Sequence, residues 1–185
     1  MSTSFRELYD SHAGYILSSL RRLGVRSADV EDVAHEVFVA VHRHLNERDP
    51  ERAIKPWLFA FAAKCAANYR RHSIRRHEQF ETNGNVAVLA DRNSHQRGAG
   101  DEEAKHVARE ERDLVLRVLD AIEDDKRELL ILHDIDGVSM PEIAAALAIP
   151  LNTAYSRLRL ARRAFEDRLT RESKLPPTLL ERSAR

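Results

Sequence analysis

The sequence predicts an all-α fold: two small helical domains joined by a flexible linker, the second containing a helix-turn-helix. Three observations carry this reading. Six Gly and six Pro in 185 residues, few aromatics and many Ala, Leu, Arg and Glu favour helices over sheets. Apolar residues recur every three or four positions over long stretches, the period of an amphipathic helix. A helix start, a tight turn and a second helix follow one another between about Ser139 and Phe165. With 43% hydrophobic residues the chain can bury a core as one ordinary domain or two small ones.

From Met1 to Asp10 the chain is polar and charged, and no apolar run approaches the roughly 18 residues of a membrane span. A cytoplasmic protein with no membrane insertion is expected. From Ser27 to Leu45, Val30, Val33, Val37, Val41 and Leu45, joined by Ala34 and Phe38, define an amphipathic helix. Asp29, Glu31 and Asp32 fall in its first turn, where carboxylates suit the positive end of the helix dipole, and Glu36 continues the acidic side. That side is either a solvated surface or a partner's docking face.

Pro56 fits the first turn of another helix, whose apolar face is Trp57, Leu58, Phe61, Ala62, Cys65, Ala66 and Tyr69. Cys65, the single cysteine, cannot form an internal disulfide and reads as packing. Lys64, Asn68 and Arg71 mark the opposite face, and with Arg70, Arg75 and Arg76 the helix carries four arginines within seven residues. Such a run is a solvated helix end or, with aromatics close upstream, a nucleic-acid surface.

Between about Glu78 and Gly100 the periodicity fails, and Thr82 to Asn85 and Asn93 to Gly100 read as loop. Asp101 to Asp113 holds six Asp or Glu against three Lys or Arg and leads into the second domain. Leu114, Val115, Val118, Leu119 and Ile122 form one core face there; Leu129, Leu130 and Leu132 belong to the next helix, which Asp136 and Gly137 break. Ser139, Met140, Pro141 and Glu142 form a capping box, and Ile143, Ala144, Leu147 and Ala148 give the helix its inner face. Ile149, Pro150 and Leu151 interrupt before Asn152 or Thr153 caps the last helix. In it Ala154, Leu158, Ala161 and Phe165 point inward, and Tyr155, Ser156, Arg159, Arg162 and Arg163 outward. From Thr153 to Arg171 six arginines stand against Glu166 and Asp167, a net charge of plus four on a helix that could enter a major groove. The whole chain has formal charge zero, so any attraction to nucleic acid comes from this distribution.

In their order these parts resemble the bacterial RNA polymerase sigma factors of the extracytoplasmic-function (ECF) group of the sigma-70 family. The resemblance rests on Asp29-Val-Glu-Asp-Val-Ala-His-Glu-Val-Phe, Pro56-Trp-Leu-Phe-Ala-Phe-Ala, Asp136-Gly-Val-Ser-Met-Pro-Glu-Ile-Ala and Thr153-Ala-Tyr-Ser-Arg-Leu-Arg-Leu-Ala-Arg. It implies a sigma-2-like domain over 1–77, a linker over 78–108, a sigma-4-like domain over 109–172 and a C-terminal tail over 173–185. Asp29, Asp32 and Glu36 would bind the clamp of the polymerase's largest subunit. Trp57, Lys64, Asn68, Arg70 and Arg71 would recognise and hold open the minus-ten element. Thr153, Tyr155, Ser156, Arg157, Arg159, Arg162 and Arg163 would read the minus-thirty-five element. Partners implied by the resemblance are core polymerase, including the flap of its second largest subunit, promoter DNA and an anti-sigma factor.

The chain departs from the family where Lys64 stands for a frequent Asn, Tyr155 for Arg or Lys, and Ala148 and Asn152 for frequent glycines. Asn152 tolerates a left-handed backbone, whereas Ala148 is expected to stay helical.

Two other classes fit the sequence less well. A plain helix-turn-helix regulator leaves the first-domain motifs unexplained. An enzyme is prompted by nine histidines, but His35 and Glu36 lack a second ligand pair, and His42 and His44 are not spaced as helical metal ligands. No catalytic residue, metal or cofactor is expected.

Overall fold

The computed structural model describes residues 4–82 and 102–172, with side chains over 4–73 and 106–172. Most of the expected linker and the tail leucines 175, 179 and 180 lie outside the described residues; at Arg75 and Arg76 only the backbone is described. All regular structure among the described residues is helical.

The first domain packs three helices. α1, Phe5–Arg22, opens on a capping box in which the Ser4 amide donates to Glu7 Oε2 at 3.1 Å. It ends where Gly24 turns left-handed at φ 84°, with Gly24 N bonded to Arg21 O and Val25 N to Leu20 O. This helix has no counterpart in the sequence reading above, although Leu8, Ile16 and Leu20 lie buried on one of its faces. α2, Val30–His44, buries Val30, Val33, Ala34, Val37, Phe38 and Val41, the expected stripe. Fully burying a Val or Phe side chain contributes roughly 1.5–3 kcal/mol, so this face ties α2 to α1 and α3.

α3, Ile54–Thr82, is rotated relative to expectation. Its buried residues are Pro56, Leu58, Phe59, Ala62, Ala63 and Ala66, while Trp57, Phe61, Cys65 and Tyr69 are only half-buried. Phe59 is fully enclosed, so it rather than Trp57 anchors the helix, and Trp57 and Phe61 come to lie at the domain's edge. Burial pushes the Cys65 thiol up, and Glu36 nearby adds to the effect.

The second domain holds α4, Glu102–Asp120; α5, Asp124–Leu130; α6, Met140–Ala146; and α7, Leu151–Glu172. α3 and α4 therefore extend helix into both ends of the stretch read as linker. α5 runs on through one wide turn, Ile131–Ile135, closed by Asp136 N to Ile131 O at 2.9 Å. Ser139 and Glu142 form the expected capping box at the start of α6. Between α6 and α7 the backbone reverses the expectation for two residues. Ala148 is left-handed at φ 53°, which lets Ile149 N reach Ala144 O at 3.0 Å, and Asn152 lies inside α7. Only a left-handed residue closes so tight a turn, and an alanine there costs about 1–2 kcal/mol relative to glycine's freedom.

The domains also meet each other. α1 packs on α4 and α3 on α6, with the α1 end and Gly24 seated against the α4–α5 turn.

Candidate nucleic-acid and partner interfaces

Three surfaces collect the expected site residues. On α2, Asp32 and Glu36 are exposed beside Glu31 and His35, because Val33, Ala34 and Val37 turn the other face inward. Asp29 is different: its Oδ2 receives Arg26 Nη2 at 2.8 Å and the Tyr69 hydroxyl at 2.6 Å. Asp29 thus fastens the α1–α2 turn to α3. Arg26 was not singled out in the sequence and Tyr69 was read only as part of the apolar face of α3; burial, then the bond to Asp29, pushes the Tyr69 hydroxyl up.

On α3, Lys64 and Arg71 are exposed and Asn68 is half-buried, its side-chain oxygen taking a bond from Arg71 Nη2. Trp57 meets Phe61 edge to face, with centroids 5.0 Å apart and planes at 74°. The pair lines a cleft of about 600 Å³ whose other wall is Pro141 and Ala145 of α6. Arg70 does not lie with Lys64 and Arg71 in solvent. Its guanidinium bonds the Leu23 carbonyl and pairs with Asp124 at 2.6 Å, leaving the side chain 18% exposed.

On α7, Ala154, Leu158 and Ala161 are buried, and Phe165 packs half-buried beside them. That fixes the helix's rotation and presents Tyr155, Ser156, Arg159, Arg162 and Arg163 outward. The Ser156 hydroxyl donates to the Thr153 carbonyl at 2.9 Å, so the first turn of this face is held by local bonds. Arg157 leans the other way, towards Asp125 of α5 at 3.5 Å. Arg162 is held bidentate by Asp134, Nε to Oδ2 at 3.0 Å and Nη2 to Oδ1 at 2.6 Å. This bond, with His133 behind it, holds the Asp134 carboxyl below its usual range. Arg159 and Arg163 pair with no carboxylate among the described residues, so their charge is the freest on this face. Asp134 and Asp125 were invisible in sequence, since their partners lie about thirty residues away.

None of these surfaces groups three or more His, Cys, Asp or Glu residues fit to hold a metal ion among the described residues. No helix there is long and apolar enough to cross a membrane.

Comparison with known proteins places this geometry. The family description "Sigma-70 region 2" matches residues 8–78, and "Sigma-70, region 4" matches residues 112–165. The ECF RNA polymerase sigma-E factor of Escherichia coli (strain K12) is 29% identical over 153 residues, covering 83% of this chain and 80% of that protein. RNA polymerase sigma factor NccH of Alcaligenes xylosoxydans xylosoxydans is 28% identical over 161 residues, 86% of this chain and 83% of its own. The structure of CnrH in complex with the cytosolic domain of CnrY aligns with a TM-score of 0.62 at 25% identity, over 90% of this chain and 87% of that one. The sigma factor RpoE, solved in complex with the anti-sigma factor NepR from Bartonella quintana, shares the fold at a TM-score of 0.58, with 20% identity over 89% of this chain and 98% of that one.

Two helical domains in this order, each carrying its matching region, define a two-region sigma factor. The chain belongs to the sigma-70 family, in its ECF group, and its role is that of an alternative sigma factor.

Proposed function

We propose that the chain binds core RNA polymerase and directs promoter-specific initiation, without catalytic chemistry of its own, in the cytoplasm. The observation that carries this is the succession of a region-2 match on α1–α3 and a region-4 match on α4–α7. Division of labour follows from exposure and charge. Asp32 and Glu36 take the polymerase clamp, while Asp29 serves them by holding the α1–α2 turn. Lys64, Asn68 and Arg71, with Trp57, meet the minus-ten element; Arg70 joins them once its present partners are exchanged. Basic side chains there hold phosphate, and Asn68 offers both donor and acceptor to a base edge.

At the minus-thirty-five element Tyr155, Ser156 and Arg159 face the major groove, with Thr153 beside them in the first turn of α7. Arg163 grips phosphate, and Arg157 and Arg162 lie at the margin with part of their charge already met. The second domain also takes the polymerase flap. The boundaries 1–77, 78–108, 109–172 and 173–185 divide the chain for these tasks. Two structural relatives were solved with proteins named CnrY and NepR, the latter an anti-sigma factor, which supports a partner of that kind here. Run-off transcription with sigma-free core polymerase and a genomic promoter pool tests the proposal. Promoter-dependent transcripts are expected only when the chain is added; their absence from every promoter sinks it.

A further inference from the structure

We propose that Leu160 is a specificity residue of α7: it packs on the C5 methyl group of a thymine in the major groove and so fixes that base in the upstream sequence this chain prefers. The inference rests on the reading of α7 as the minus-thirty-five helix given above, and adds to it a side chain with neither charge nor hydrogen-bonding group.

Leu160 takes no part in the core. It follows Leu158, 4% exposed, by two residues, which turns it about 200° around the helix, and Ala161 beside it is fully enclosed. Its own side chain is 49% exposed and lies outside the packed cluster of buried and half-buried apolar residues. Four residues apart, its row on the helix surface runs Asn152, Ser156, Leu160, Ala164. Ser156 and Ala164 are small, so the leucine stands proud of the neighbours one turn to either side. Leu151 opens the helix and Tyr155 ends in a hydroxyl, so among the described residues Leu160 is the one large, purely apolar side chain exposed within α7.

An isolated surface leucine needs no partner. Its company assigns one here. Arg159 precedes it and Arg163 follows one turn later, and neither pairs with a carboxylate among the described residues. Arg157 is drawn to Asp125 at 3.5 Å and Arg162 to Asp134 at 2.6 Å, which leaves the leucine uncovered. The face turns acidic only beyond Arg163, at the exposed Glu166 and Asp167. With Arg163 on a backbone phosphate and Ser156 and Arg159 at the groove floor, the residue between them is brought against a base edge.

A leucine has little choice there. In the major groove guanine offers two acceptors, cytosine a donor, adenine one of each, and thymine an acceptor beside its C5 methyl. A polar edge covered by leucine loses water and gains no partner, which costs more than the contact returns. The methyl group gains from burial, by about fourfold in affinity for one such group.

The test uses the full chain with core polymerase. A duplex library randomised across the upstream element is selected by binding, and each thymine of the preferred sequence is then replaced singly by deoxyuridine, which deletes the methyl and keeps the pairing. For the unaltered chain, one of these replacements should cost about fourfold in affinity. Leu160→Ala, at an exposed site, should lose about fourfold on the thymine duplex and nothing further on the deoxyuridine one. A preferred sequence without thymine, or with no thymine sensitive to the replacement, overturns the inference. So does an undiminished loss at that position in Leu160→Ala, which would give the methyl to another residue. Weaker binding of Leu160→Ala to core polymerase without DNA places the side chain on a protein and overturns it as well. A library that enriches no sequence sinks the promoter reading on which the inference rests, a failure distinct from the others.

Discussion

Glu128 shows how one side chain records its surroundings. Burial first, then the neighbouring Asp124, pushes its carboxyl up to about 7, against the opposing pull of Arg70. A raised carboxyl favours the neutral form in the folded chain. Below about pH 4.5 both states are protonated and the site costs nothing; as pH rises towards 7 the unfolded chain ionises first and stability is lost, with the full loss present above 7. At about 1.4 kcal/mol per pH unit, Glu128→Gln should stabilise the protein by up to about 3 kcal/mol at pH 8 and by nothing at pH 4. Denaturant titrations at the two pH values check this; equal gains at both would place the effect in packing rather than ionisation. Ala148 belongs to the same scale. Its left-handed backbone was unreadable because sequence gives residue type and spacing but not the sign of φ, and the turn geometry overrides what an alanine prefers.

At the scale of the element, α7 is a rod whose rotation is set by three small or branched residues, Ala154, Leu158 and Ala161. Its outward arginines are not equivalent. Replacing Arg163 by Ala should reduce the slope of log affinity against log salt for upstream promoter DNA by about one, for one lost phosphate contact. Arg162→Ala should change it by less, because Asp134 already meets that charge. Equal slopes for all variants would mean that α7 presents another face. This helix was legible from its period and charge, as were α2 and the Ser139–Glu142 cap. α1 was missed because polar residues interrupt the apolar stripe, and the Ser4–Glu7 box that starts it stands in a stretch that reads as merely polar and charged. α3 was read with the wrong rotation: its apolar residues span both Trp57 and Phe59, and only packing against α1 and α2 decides which goes inside. At the site, exposed charges were readable and their partners were not. Asp29–Tyr69, Arg162–Asp134 and Arg70–Asp124 each join residues far apart in sequence.

Over the whole molecule, a formal charge of zero conceals a division of labour: acid on α2, unpaired base on α7. Reversing Asp32 and Glu36 to Lys should weaken core polymerase binding about tenfold or more, since like-charge juxtaposition at an interface costs several kcal/mol. Both are exposed, so the melting temperature should not move; unaltered core affinity in a titration rejects this face. The wide turn at Ile131–Ile135 bears on the same scale. Asp134 and Asp136 stand two residues apart where an ordinary helix would set them about 200° around its axis. Here one grips Arg162 of α7 and the other grips Tyr15 and Arg22 of the first domain. The wide turn therefore aims two carboxylates at different bodies: within three residues of backbone, one serves a pairing inside the second domain and the other a seam between the domains.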